Sequence, residues 1–107
     1  MAYDEALAAR IRKLLRGRDD VIERKTFGGL AFMVAGHMAI GVIKDDLMVR
    51  VGPDAYEDSL AKPHARPMDF TGRPSRGMVY VAPAGVASDT ALAGWVERGV
   101  AVAASSG

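Results

Sequence analysis

Residues 27–51, FGGLAFMVAGHMAIGVIKDDLMVRV, constrain the fold more than any other stretch of the chain. Two turn signals, Ala35-Gly36-His37 and Lys44-Asp45-Asp46, cut it into three short runs rich in Leu, Phe, Met, Val and Ile. Each run has the length and composition of a β-strand, and gaps this short join antiparallel neighbours. The stretch therefore predicts a three-stranded meander at the middle of one sheet. With Ala35-Gly36 as a two-residue turn, Val34 faces His37, Met33 faces Met38, Phe32 faces Ala39 and Leu30 faces Gly41. The second turn leaves two registers open. Val42 lies opposite Val49 across a two-residue Asp45-Asp46 turn, or Ile43 lies opposite Leu47 across three residues. A one-residue shift would exchange the faces of the strand. Both faces are partly apolar in either register. Helices can cover one of them; the surplus on the other, with Met33, Met38 and Met48, calls for loop cover or a partner subunit.

The flanks supply helices. Residues 4–16 place Leu7, Ile11, Leu14 and Leu15 on one stripe, with Asp4 and Glu5 at the start and Gly17 just past the end. Residues 21–26, VIERKT, predict an edge strand with mixed faces. Gly28-Gly29 beside a strand marks a bulge or a close backbone approach. A phosphate cradle would need a following helix, and a strand follows here. After Gly52-Pro53, residues 54–61 predict a short helix. Residues 78–82 predict the last strand, with a short strand at 68–71 as an addition. Ser88-Asp89 begins a closing helix over residues 90–104. Leu92, Trp95, Val96, Gly99 and Ala103 form its apolar stripe, with Trp95 as anchor. The expected fold is α+β: an antiparallel sheet of about five strands with the meander at its centre, flanked in two layers by N- and C-terminal helices.

At 107 residues the chain makes a single domain, residues 1–107. A net charge of +1 gives no overall attraction to nucleic acid or membrane, so either role needs a local patch. Without cysteine there is no disulfide, thiol nucleophile or Cys-based zinc site. The charged N-terminus lacks the apolar segment of a signal peptide, and no run reaches the ~18–20 apolar residues that span a bilayer. The expected location is the cytoplasm.

The chain carries little chemistry. No hydrolase triad or nucleophile elbow is present, and no residue set specifies a metal or an organic cofactor. Asp54, Glu57 and Asp58 share a helix face, as ordinary surface acids do where they complement the dipole. Residues 62–77, KPHARPMDFTGRPSRG, are the sharpest change in composition. His64, Arg66, Arg73 and Arg76 lie in this basic stretch and form a candidate site for an anion or nucleic acid. Phe70 and Tyr80 could stack on bases beside them. Alternatively, these arginines pair with the sheet's own carboxylates, such as Asp45, Asp46 or Asp69. His37 falls at a hairpin tip, the usual place of a solvated turn residue. A small enzyme using His64 as its acid/base group is the remaining alternative.

Phe27-Gly28-Gly29-Leu30-Ala31-Phe32, then Gly36, then Asp46-Leu47-Met48-Val49-Arg50-Val51 resemble the N-terminal domain of the TfoX/Sxy family. Pro67-Met68-Asp69-Phe70, Met78-Val79-Tyr80-Val81 and Trp95 extend the likeness over nearly the whole chain. Thr26 departs from the methionine that often precedes FGG in the family. The resemblance implies a helix, an antiparallel sheet and a closing helix. It also implies regulation of natural competence, by transcriptional coactivators that work with a cyclic-AMP receptor protein and carry a further C-terminal domain. The resemblance is to a stand-alone N-terminal domain, and it brings no catalytic residues. The expectation is thus a non-enzymatic interaction module, with a protein partner such as a transcription regulator and a homodimer formed through the sheet or a helix.

Overall fold

The computed structural model describes residues 3–26, 28–69 and 74–105. Six strands form one fully antiparallel sheet: β1 (Val21–Thr26), β2 (Gly29–Val34), β3 (His37–Ile43), β4 (Asp46–Arg50), β5 (Ala65–Asp69) and β6 (Pro74–Val81). Their spatial order is β1-β2-β3-β4-β6-β5. Helix α1 (Glu5–Leu15) precedes the sheet, α2 (Tyr56–Leu60) joins β4 to β5, and α3 (Asp89–Ser105) closes the chain after a 3₁₀ turn at Pro83–Val86. The meander sits at the centre as its sequence requires.

Each helix end has a local cause. Asp4 caps α1, its carboxylate accepting the Leu7 N–H at 3.1 Å, and Gly17 follows the helix at φ +96°. Ser88 caps α3 in the same way, accepting the Ala91 N–H. The α3 stripe is buried as expected: Leu92, Trp95, Val96, Gly99 and Ala103. In α1 the buried set is Leu7, Ala8, Ile11 and Leu15, whereas Leu14 is 42% exposed. Leu14 lies at the margin of the stripe, and small Ala8 lets the opposite margin come close to the core.

Strand alternation sorts the sheet into two faces. Leu30, Phe32, Ile40, Val42, Leu47, Val49, Val79 and Val81 join α1, α2 and α3 in one continuous core. The contact is closest where α3 crosses β3. A Cβ at Gly99 would run into the Ala39 carbonyl oxygen and lie 2.8 Å from Ile40 Cγ2. Helix backbone therefore lies directly on strand backbone there.

The hairpin registers differ from expectation in two places. Val34–His37 and Met33–Met38 pair as expected, but the register then shifts, giving Phe32–Ile40 and Leu30–Val42. Ala39 is the extra residue of a β-bulge, and its carbonyl is the one that α3 packs upon. The second turn comprises Lys44 and Asp45, with Ile43 opposite Asp46, Val42 opposite Leu47 and Ile40 opposite Val49. Neither expected pairing forms. Relative to the Asp45-Asp46 option the strand is displaced by two residues, so every side chain keeps its face. Lys44 takes a left-handed φ of +52°, and its carbonyl accepts the Asp4 N–H at 2.7 Å. The chain's beginning thus fixes this turn, a tie that the hairpin sequence does not contain.

The basic stretch 62–77 is largely a hairpin, not a loop. Strand β6 begins at Pro74, four residues earlier than expected, and β5 pairs with it through Ala65–Val81, Arg66–Tyr80 and Pro67–Val79. Proline is compatible with this because β5 is an edge strand and Pro74 is the first residue of β6. Helix α2 is shorter than expected and starts at Tyr56. Among the described residues no helix is long and apolar enough to cross a membrane.

Candidate functional site

The face of the sheet turned away from the helices is also apolar. Alternation places Ile22 on it from β1, Ala31 and Met33 from β2, and Met38, Gly41 and Ile43 from β3. Met48 from β4, with Met78 and Tyr80 from β6, extend it. Ala31, Met48 and Met78 are buried, yet they lie outside the helix-side core. They are shielded within this second face. Gly41 contributes by absence: a Cβ there would stand 2.6 Å from Met48 Cε, so glycine lets the methionine lie across β3. Toward β1 the face opens, with Met33 and Met38 half-buried and Ile22 59% exposed.

Polar groups on this face are mostly engaged. The β3–β4 ladder ends at Ile40–Val49, and the Arg50 Nε–H donates to the Met38 carbonyl at 2.7 Å beyond it. Arg66 pairs with Asp46 through both terminal nitrogens, at 2.5 and 3.4 Å, and its guanidinium carbon is 5.0 Å from the Tyr80 ring centroid. An exposed pair of this kind contributes about 0–1 kcal/mol, but it sets the direction of the arginine fork. Of the two fates open to the arginines of the basic stretch, Arg66 takes the internal one. Arg76 is in β6 with its side chain outside the described residues, and Arg73 and Phe70 lie outside them altogether.

His64 is separated from Arg66. Lys62 to Ala65 form a turn in which the Ala65 N–H reaches the Lys62 carbonyl, Pro63 precedes His64, and His64 has φ +68°. Glycine is the residue that adopts this region freely. For a β-carbon residue it costs on the order of 1 kcal/mol, although histidine is among the types that tolerate it better. The histidine opens onto a cleft of about 410 Å³, lined also by Lys62, Gly85, Thr90, Gly94, Trp95 and Arg98. The Arg98 guanidinium carbon lies 5.7 Å from the Trp95 ring centroid. His64 thus meets cations different from those adjacent to it in sequence. Lys62 is its neighbour but one; Arg98 comes from a helix over thirty residues later, and its only sequence cue is the i, i+3 spacing from Trp95.

The other signature residues are structural. Gly28 and Gly36 have φ +77° and +87°. At Gly29 a Cβ would meet the Val42 carbonyl oxygen at 2.6 Å, which explains the close approach of β2 to β3. Phe27 lies outside the described residues. Trp95 is 6% exposed and belongs to the core. His37 is half-buried at the start of β3. Among the described residues no cluster of three or more potential metal-ligating side chains occurs.

On the helix side, Arg12 grips Glu23 with two hydrogen bonds of 2.8 Å, tying α1 to β1. That hydrogen bond, reinforced by charge attraction and opposed by desolvation, holds the Glu23 carboxyl below the usual carboxylate range. Arg18 lowers the exposed Asp20 carboxyl in the same way.

No curated protein and no solved structure gives a significant match to the chain. A helix on either side of an antiparallel meander, the Gly28-Gly29 approach and the tryptophan-anchored closing helix agree with one family in particular. Residues 13–103 match the model of the TfoX N-terminal domain, and the chain belongs to that family.

Proposed function

We propose that this domain is a non-enzymatic, cytoplasmic interaction module in regulation of the TfoX type, and that it self-associates through the open face of its sheet. One observation carries the reading: a second apolar face, with Ile22, Met33 and Met38 at its uncovered end, on the side opposite all three helices. A sheet facing water normally alternates apolar inward with polar outward. Here the outward set is mainly alanine, glycine, methionine and isoleucine. At strand spacings of ~4.8 Å and ~3.3 Å per residue, the face measures on the order of 400 Å² in projection, a size at which exposed apolar patches mark interaction sites.

The occupant is a second copy of the chain. Two such faces stack as sheets do in a sandwich, with the methionines adjusting to each other. A two-fold axis makes one patch complementary to itself. Charged Arg24 and the Arg66–Asp46 pair sit toward the two edges, and Arg50, nearer the middle, directs its Nε–H onto the Met38 carbonyl. Such a dimer leaves α1 and α3 facing outward, available to a protein partner such as a transcription regulator. Light scattering at high micromolar concentration is expected to give a dimer, and Ile22→Glu a monomer of unchanged helix content. A monomeric wild-type chain would overturn the self-association.

A second reading uses the same hairpin for nucleic acid, with His64, Arg66, Arg73 and Arg76 on phosphates and Tyr80 as a stacking surface. The Arg66 guanidinium over the Tyr80 ring favours it; the bond to Asp46 opposes it. It requires affinity that falls steeply with salt and is lost when Arg66, Arg73 and Arg76 become alanine.

A further inference from the structure

We propose that the cleft between α3 and the turn before β5 binds a phosphate dianion, free or carried on a small monoester, held by Lys62, His64 and Arg98 beside Trp95. Three observations converge on it. The first is charge. Lys62 and His64 come from one turn and Arg98 from α3, and no carboxylate lines the cleft. Among the described residues none of these three makes an ion pair, in contrast to Arg10, Arg12, Arg18 and Arg66, which each hold an acid. The nearest acid in the sequence of α3's first turn, Asp89, is engaged by Arg10 at 3.2 Å. Convergent cations without acids suit a doubly charged group, and the planar fork of arginine matches phosphate oxygens.

The second is Gly94. Glycine weakens a helix interior, and the other interior glycine of α3 has an evident reason, since Gly99 lies on the Ala39 carbonyl. At Gly94 an added Cβ would meet nothing within 4 Å. No packing of the fold requires glycine there. The position does line the cleft, where the missing side chain leaves the helix backbone open to a ligand.

The third is His64 itself. Its left-handed backbone, with Gly85 so close that a Cβ there would stand 2.9 Å from His64 Cβ, fixes the imidazole's origin at the cleft wall. Departures from favoured backbone regions concentrate at ligand-binding positions. The volume of about 410 Å³ lies within the range of small-molecule sites. This inference is independent of the dimer, which uses the other side of the sheet.

Trp95 is the chain's one tryptophan, so its fluorescence reports on the cleft directly. Titrations with inorganic phosphate, ribose 5-phosphate and, as uncharged control, ribose are made at constant ionic strength. A saturable change with a phosphate probe and none with ribose is expected. Tighter binding of ribose 5-phosphate assigns the site to an ester, and equal or tighter binding of inorganic phosphate assigns it to the free ion. Arg98→Gln and Gly94→Leu should each weaken binding by about tenfold or more, the second by occupying the cleft. Circular dichroism verifies the fold of both, and Lys62→Gln, at an exposed turn position, serves if either is altered. No saturable change up to about 10 mM, or equal binding by the wild type and the variants, would overturn the proposal.

Discussion

On the helix side of the sheet, Phe32, Val42, Leu47 and Val49 are fully buried under α1 and α3; on the other side, Ile22 keeps 59% of its surface and Met33 and Met38 are half-buried. Strands β2 and β3 supply residues to both sets. The sealed face is built of valine, isoleucine, leucine and phenylalanine whose shapes fit one arrangement, with glycine where the α3 backbone touches the Ala39 bulge. The open face is built mainly of methionine, isoleucine, alanine and glycine, and its methionines can repack against different surfaces. Stability therefore resides in the first face, and the proposed association uses the second.

The largest effect expected from this division is at Phe32. Phe32→Ala should cost about 3–5 kcal/mol by urea denaturation, since it empties the centre of the sealed face. Next comes Gly99→Ala. Its Cβ has no room against the Ala39 carbonyl, and moving α3 outward should cost about 1–3 kcal/mol. If Gly99→Ala were neutral, the close backbone contact of α3 with β3 would be wrong. Ile22→Glu on the open face should shift unfolding of the monomer by no more than about 0.5 kcal/mol, as exposed positions do. A loss of several kcal/mol there would break the comparison, because it would make the second face part of the folding core.

The smallest effect concerns the Arg12–Glu23 tie. A carboxyl whose pKa is lowered by folding contributes stability above its unfolded value, and loses that contribution as pH falls through the lowered folded value. Glu23→Gln should therefore lower stability by a few tenths of a kcal/mol near neutral pH, given how exposed both groups are. The difference from wild type in thermal midpoint should shrink toward zero in strong acid. A difference that grew in acid would contradict the pairing.

The meander, both terminal helices and the apolar surplus on its far face were legible in the sequence because each follows from periodicity and turn chemistry. What escaped was decided by tertiary contact. The Ala39 bulge answers to α3, and the Lys44 turn answers to the Asp4 backbone, so local counting lost the first register beyond Met33–Met38 and the two options left open for the second did not include the one that forms. Within residues 62–77 only a short strand at 68–71 was expected, because prolines argue against strands; edge position and strand start are the two places where a sheet admits them. The grouping of His64 with Lys62 and Arg98 was invisible because it joins a turn to a distant helix.

The most direct test of the two-face division is a dilution series followed by NMR of methyl-labelled methionines. The Met33 and Met38 methyl signals should shift with concentration along one dimerisation curve, while the Trp95 indole signal, on the helix side, stays fixed. Methionine signals independent of concentration into the millimolar range, or a shift confined to Trp95, would contradict association through the open face.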